Sequence, residues 1–429
     1  MIGKITFCSI CVIFTINNAS AAELIAKGDV LTLRRCVEIA VKNHPTIYAA
    51  SNTVKANESR IGQAQANYYP QLIFQSNYQR TGPPAPSLLS PDVYNQYYNI
   101  LNLSQTIFDF GKTFKQVEIQ SLNKEASQAD LQDVTGQVIL GAKQAYLTYA
   151  QSKMNRDVAV ETVKQFEQHH EIAKNFFAAG KNSKIDVTSA EVNLSNSRIN
   201  LLKAQNALRL ARINLNNAMG ILDAPEYETY NELTYKPYEA DIENALQKAY
   251  TNRPDLLSVA KKKVGLEKTI DLNKKGYLPV LSGVASYGYT ADDLSVRSED
   301  RYWNIGVTLT IPIFTGLSTK YQVAEARSNL DVLRANEDSL KQKVHLEVET
   351  AFLSLREAEQ RIFAGEIIVR QAHENVELAR GRYAAGVGSS IEITDALIAL
   401  NNAKITHITA LTDFSLAQAS LEKATGVQR

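Results

Sequence analysis

From Val344 onward, apolar or small side chains recur at Val344, Val348, Ala351, Leu355, Ala358, Ile362, Gly365, Val369, Ala372, Val376, Ala379 and Tyr383, alternately four and three residues apart. A mean period of 3.5 is the seam of a coiled coil. The N-terminal half repeats the seam less strictly, with Arg156 and His170 in seam positions. No proline falls between Phe110 and Gly180 or between Gly316 and Gly386. Each stretch is therefore predicted as one helix of about 65 residues, roughly 100 Å long. A soluble globule has no use for two such rods. A second pattern has period two. From Tyr302 to Pro312, Trp303, Ile305, Val307, Leu309 and Ile311 alternate with Tyr302, Asn304, Gly306, Thr308 and Thr310, which predicts a strand with one apolar face. Leu72, Phe74 and Tyr78 alternate with Gln71, Gln75, Asn77 and Gln79 in the same way, and the partner segment from Val280 to Tyr289 is weaker.

These patterns are written twice. Asn43-His44-Pro45 recurs as Asn252-Arg253-Pro254 and Tyr69-Pro70 as Leu278-Pro279, both offset by 209. Ile107-Phe108, Gln116-Val117, Ala145-Tyr146-Leu147, Ala178-Ala179-Gly180 and Gly220 recur 206 residues later. Each copy reads as helix, strand pair, very long helix, tight turn, helix. The first helix is expected from about Thr32 to Ala66, broken at Pro45, because proline disfavours helix in the residue before it. The expected organisation is a first repeat over residues 23–220, with strands at about 70–106 and a helical hairpin at about 110–219. A linker follows over 221–240. The second repeat covers 241–429, with strands at about 279–312 and a hairpin at about 316–424.

Lys4, the apolar run Ile5–Ile16 and the small residues Ala19-Ser20-Ala21-Ala22 read as a signal peptide over residues 1–22. The run is too short to span a membrane, which takes about 20 apolar residues. The bulky residues Phe7 and Ile10 before Cys8 and Cys11 argue against a lipid anchor. Removing Lys4 leaves 45 basic against 45 acidic residues, from 46 and 45. That balance offers no basic surface for nucleic acid. Cys36 is then the only cysteine, so no intramolecular disulfide forms. Any membrane crossing must use strands.

Four strands cannot close a barrel, and lipid does not tolerate an open sheet edge. The chain must therefore oligomerise. Three copies give twelve strands, within the range of outer-membrane barrels; two or four copies also close. The predicted fold class is mainly α with a membrane β-barrel portion.

The duplication, the helix exits Tyr68-Tyr69-Pro70 and Tyr277-Leu278-Pro279, and the re-entries Ile107-Phe108-Asp109 and Ile313-Phe314-Thr315-Gly316 resemble the TolC-type outer-membrane efflux family over nearly the whole mature chain. Most specific are Phe177-Ala178-Ala179-Gly180 before Ile185-Asp186-Val187, and Tyr383-Ala384-Ala385-Gly386 before Ile391-Glu392-Ile393-Thr394-Asp395-Ala396. The resemblance implies a homotrimer with a 12-stranded barrel in outer-membrane lipid, standing on a long α-helical barrel in the periplasm. It further implies a periplasmic adaptor (membrane fusion protein) and an inner-membrane RND or ABC pump as partners. The implied function is the exit duct of a tripartite efflux or type I secretion system. No cofactor, metal or enzymatic activity is expected, since His169 and His170 are adjacent and diverge around the helix. The rival reading is a soluble periplasmic coiled-coil adaptor or scaffold.

Glu392 and Asp395 lie three apart just after a turn and share one side of a helix. The resemblance places matching acids at the periplasmic mouth, where three copies form a cation-favouring ring whose crowding raises some pKa values. The same acids also suit a helix N-terminus. Asp186 is the first-copy counterpart of Glu392, and Ser189 replaces Asp395. Gly388 stands where some family members carry an arginine that latches the mouth, so that latch is not expected here. The turns Gly180-Lys181-Asn182-Ser183 and Gly386-Val387-Gly388-Ser389 are expected to cap helices and to dock the adaptor. Tyr94, Tyr97, Tyr98, Tyr287, Tyr289, Tyr302 and Trp303 are expected to form an aromatic girdle at a membrane interface.

Overall fold

The computed structural model describes residues 25–82, 93–230, 233–238, 241–291 and 301–427. The expected signal peptide lies outside them. In each half a short helix, α1 (Leu33–Asn43) or α5 (Ile242–Asn252), is capped by a side chain that accepts the N–H three residues on. Thr32 accepts from Arg35 at 3.2 Å and Asp241 from Asn244 at 3.0 Å. His44 and Arg253 then leave the helical region, at φ −66° and −68° with ψ near 125°. Pro45 and Pro254, whose fixed φ suits a first helical residue, start α2 (Pro45–Gln65) and α6 (Pro254–Lys274). Each ends in a single 3₁₀ turn before Pro70 or Pro279, and the chain becomes extended. The breaks and exits fall where the prolines predict them.

The strands β2 (Gln71–Thr81), β3 (Tyr94–Phe108), β5 (Val280–Ala291) and β6 (Arg301–Thr310) form one antiparallel sheet in the order β2-β3-β5-β6. Register fixes its faces. Leu72, Leu103, Ala285 and Ile305 form one row, and Phe74, Leu101, Tyr287 and Trp303 the next. The apolar side chains of this face are exposed, Trp303 and Ile305 at 75% each. The opposite face is mainly polar, with Ile73, Ile100 and Val284 among its polar residues. Asn102 donates to Gln75 at 3.1 Å and accepts from Ser286 at 2.8 Å. The outer edges of β2 and β6 pair with no other strand among the described residues. No helix among the described residues is long and apolar enough to cross a membrane.

Beyond the sheet the backbone turns through left-handed residues, Phe110 and Gly111 in the first half and Gly316 and Leu317 in the second. The helices α3 (Lys112–Ala178) and α7 (Ser318–Ala384) follow, each of 67 residues, or roughly 100 Å. The return helices α4 (Lys184–Ala218) and α8 (Ser390–Ala424) have 35 residues each. Along α7 the seam is buried at Val344, Val348, Ala351, Leu355, Ala358, Ile362, Val376, Ala379 and Tyr383. The α3 seam departs from the strict spacing: Arg156 and His170 are only half-buried, and the neighbouring His169 is buried instead.

Contacts gather the described residues into two compact units, each drawing on both halves. One draws on the described residues within Met1–Pro45, Val138–Pro237 and Ser354–Ala419. Its core holds Ile39, Tyr146, Leu215 and Met219. It also contains a two-residue parallel ladder between β1 (Val30–Leu31) and β4 (Glu228–Thr229). The Tyr146 hydroxyl donates to the Tyr230 carbonyl at 2.7 Å beside this ladder. The other unit draws on the described residues within Thr46–Gln137, Tyr238–Leu353 and Ser420–Arg429, and contains the sheet. There α6 is held to α3 by Lys261–Glu125 and Lys268–Glu118, and to α7 by Lys263–Glu337, all at 2.6–2.8 Å.

Candidate functional site

Both hairpin turns close in the same way. Gly180 at φ 73° and Gly386 at φ 77° adopt the left-handed conformation that lets a helix end. Lys181 N–H donates back to the Phe176 carbonyl, and Val387 N–H to the Arg382 carbonyl. Ser183 and Ser389 then start the return helices. Asp186 accepts the Ser183 backbone and hydroxyl hydrogens at 3.1 and 2.9 Å. Glu392 accepts the Ser389 N–H at 3.3 Å and returns its own N–H to the Ser389 hydroxyl at 3.2 Å. Asp186 and Glu392 therefore both serve as helix caps.

The second turn carries an additional group. Arg382, from the last turn of α7, donates through Nε to Glu392 at 3.1 Å and through its terminal nitrogen to the Val387 carbonyl at 3.3 Å. The bond from Arg382 and the Ser389 N–H hold the Glu392 carboxyl below the usual carboxylate range. Within one chain, that is opposite to the rise expected from crowding. Gly388 is pressed onto the same place. A Cβ there would lie 2.9 Å from the Arg382 Cβ and 3.0 Å from the Tyr383 nitrogen. Asp395 is exposed on α8, one turn beyond Glu392, and is held by no ion pair among the described residues.

Tyr383 connects the two hairpins. It is 4% exposed, whereas Phe177, its first-half counterpart, is 45% exposed. Its hydroxyl accepts from the Asn182 side chain, and its ring stacks on Phe176 at 5.2 Å. His169, 2% exposed, meets the Tyr383 ring edge-on at 5.8 Å. Its Nε2 shares a hydrogen bond of 3.0 Å with the Ser390 hydroxyl, while Nδ1 has no partner among the described residues. Around them lie Phe166, Leu194, Ile393 and Leu397. Sequence reasoning left His169 aside.

The aromatic residues of the sheet do not form one girdle. Tyr97, Tyr287, Tyr289 and Trp303 share the face of Leu72 and Phe74. Tyr98 and Tyr302 fall in the rows of Asn77 and Gln75, on the polar face. Alternation requires this, because adjacent residues of a strand point to opposite sides. Tyr94 pairs in register with Thr81. A second aromatic group, unanticipated, is exposed where strands meet helices: Tyr68, Tyr69, Phe108, Phe114, Tyr277, Phe314 and Tyr321. Its sequence signal was present in the Tyr68-Tyr69-Pro70 and Ile313-Phe314 motifs, which were read only as helix ends.

A family model described as outer membrane efflux protein matches residues 36–221 and again 245–427. Protein CyaE of Bordetella pertussis is 23% identical over 388 residues, 89% of this chain and 81% of that protein. Outer membrane efflux protein BepC of Brucella suis is 20% identical over 419 residues, 95% of this chain and 89% of that protein. Among solved structures, CusC superposes with a TM-score of 0.81 at 19% identity, covering 92% of both chains.

Proposed function

The chain belongs to the outer membrane efflux protein family, and from that premise we propose that it works as a homotrimeric duct through the outer membrane. It passively conducts cargo delivered by an adaptor and an inner-membrane pump. The observation that carries the reading is the four-stranded sheet with two unpaired edges and an exposed apolar face. Such a sheet is stable in lipid only when copies close it. The helices supply a second reason to assemble. Ile185, Val192 and Ile199 on α4, and Ile391, Ile398 and Ile405 on α8, recur every seven residues and are exposed, a seam left for a neighbouring helix. Tyr97, Tyr287, Tyr289 and Trp303 face lipid at one interface. The group around Tyr69 and Phe314 marks the other.

The hairpin turns form the periplasmic mouth. Glu392 and Asp395 surround the opening, with Asp186 on the first hairpin, and the tips Gly180–Ser183 and Gly386–Ser389 receive the adaptor. The resting mouth is held by links between hairpins inside each protomer, Asn182 to Tyr383 and His169 to Ser390, without an arginine at position 388.

Planar-bilayer conductance of the purified trimer tests this reading. Wild type is expected to give discrete, cation-favouring steps, and Glu392→Ala with Asp395→Ala to lose or reverse that preference. Folded trimer that forms no channels would overturn the duct. Channels indifferent to the double substitution would remove the acids from the mouth.

A further inference from the structure

We propose that Arg382 sets the ion preference of the mouth by cancelling the charge of Glu392, so that Asp395 supplies the net negative charge; this rests on the mouth proposed above. Position 388 leaves little room for a side chain in this turn. Gly388 donates its N–H to the Arg382 carbonyl at 3.0 Å. Its Cα faces the Arg382 and Tyr383 backbone so closely that no side chain fits without shifting the turn. The arginine comes instead from the helix before the turn, and its forked head reaches two acceptors at once, the Glu392 carboxylate and the Val387 carbonyl. Glu392 has spent its other oxygen on the Ser389 N–H. Both members of the pair are well exposed, at 57% and 43%, so the bond itself adds little stability. The count of fixed charges does not depend on that strength. Arg382, Glu392 and Asp395 sum to one negative charge per protomer instead of two, and rings of fixed charge are what select ions in pores.

Charge counting makes the test a cycle. The readout is the potassium-to-chloride permeability ratio of single channels in asymmetric potassium chloride, at moderate salt because screening weakens exposed charges. Arg382→Gln raises the net charge to two negatives per protomer, and the ratio is expected to rise roughly twofold. Arg382→Gln with Glu392→Gln returns to one, and the ratio returns to the wild-type value. Arg382→Lys keeps the charge while losing the fork, and it too retains the wild-type ratio. Asp395→Asn brings the sum of these three groups to zero and lowers the ratio to what Asp186 on the first hairpin leaves. A purely structural role for Arg382, holding Val387, changes conductance or tip proteolysis in every Arg382 variant and leaves the ratio alone. An unchanged ratio in Arg382→Gln channels overturns the inference. Loss of channels altogether, in a wild-type trimer shown to be folded, overturns the duct reading beneath it.

Discussion

The two halves of the chain share a backbone and differ in where they keep their charge. Gly220 and Gly426 end their helices at φ 72° and 71°, each packed against the kink between the short helices. A Cβ on Gly220 would lie 3.0 Å from the His44 Cα, and one on Gly426 would lie 2.8 Å from the Asn252 carbonyl carbon. At that same kink the first half has a half-buried His44, and the second has Arg253, 3% exposed. Arg253 donates to Asp255 and Glu347 at 2.6 Å, and Lys423 adds a contact to Glu347 at 3.7 Å. The turns differ likewise: Asn182 and an exposed Phe177 in one, Arg382, Gly388 and a buried Tyr383 in the other. Duplication preserved the positions that need a special backbone and left the ion pairs free to diverge.

The largest effect should come from the kink. Removing one member of a buried ion network leaves charges desolvated without compensation, which costs about 3–5 kcal/mol. Arg253→Ala is expected to lower trimer stability by that order in denaturant titration, and His44→Ala clearly less, since no buried guanidinium is lost there. Burial alone would raise the Asp255 and Glu347 carboxyls, but the hydrogen bonds and charge of Arg253 outweigh it and hold both low. Their contribution is therefore present above the unfolded carboxylate value of about 4 and disappears as pH falls through the lower folded values. Wild type should lose stability in that acid window more steeply than Arg253→Ala. Equal acid profiles would remove the network from the account.

Much of this architecture was legible in the sequence, because prolines and period-3.5 seams are local signals. The breaks at His44 and Arg253, the strand starts after Pro70 and Pro279, and the two rods follow from them. The expected aromatic girdle divides between two faces, since neighbours such as Tyr97 and Tyr98 cannot face the same side of a strand. The choice between His169 and His170 was not legible. Either one keeps an acceptable three-and-four spacing between Phe166 and Ala173, and only the neighbouring hairpin decides. The partner of Glu392 was equally hidden, because Arg382 reaches it across a turn whose path depends on Gly388.

A smaller effect is expected where the turns differ in space. Gly180 is left-handed, but a Cβ there would meet nothing within 4 Å, so Gly180→Ala carries only the conformational penalty, about 1 kcal/mol. Gly388 has the opposite problem, ordinary space for φ and none for a side chain. Gly388→Ala should cost about 1–3 kcal/mol, as overpacking does. It should also expose the second tip to protease at a lower concentration than Gly180→Ala exposes the first. Equal sensitivity would mean that the second turn shifts freely and that the close approach at Gly388 constrains nothing.

The finest discrimination concerns His169, which the second hairpin covers. Burial is the main force holding its pKa below the ordinary imidazole value, helped by the positive charge of Arg380 on α7 and by His170 on α3. Asp186 on α4 opposes them, and Tyr383 on α7 and Ser390 on α8 offer a ring edge and a hydroxyl. A lowered folded pKa means that the unfolded tip binds the proton more readily than the folded one. Local stability therefore falls as pH drops below about 6.5, by at most roughly 1.4 kcal/mol per pH unit until the folded value is reached. Nδ1 has no acceptor among the described residues to receive the added proton, so only the charge of Asp186 offsets part of that loss. Cleavage at the hairpin tips should then increase between pH 7.5 and 5.5 in wild type. In His169→Gln, where an amide can still meet the Ser390 hydroxyl without titrating, the cleavage rate should be flat. A flat wild-type profile would mean that protonation of His169 does not loosen the tips, and that the link between His169 and Ser390 contributes little beside Tyr383 and the other contacts between the hairpins, such as Thr162 to Asn401 and Lys404 to Glu161.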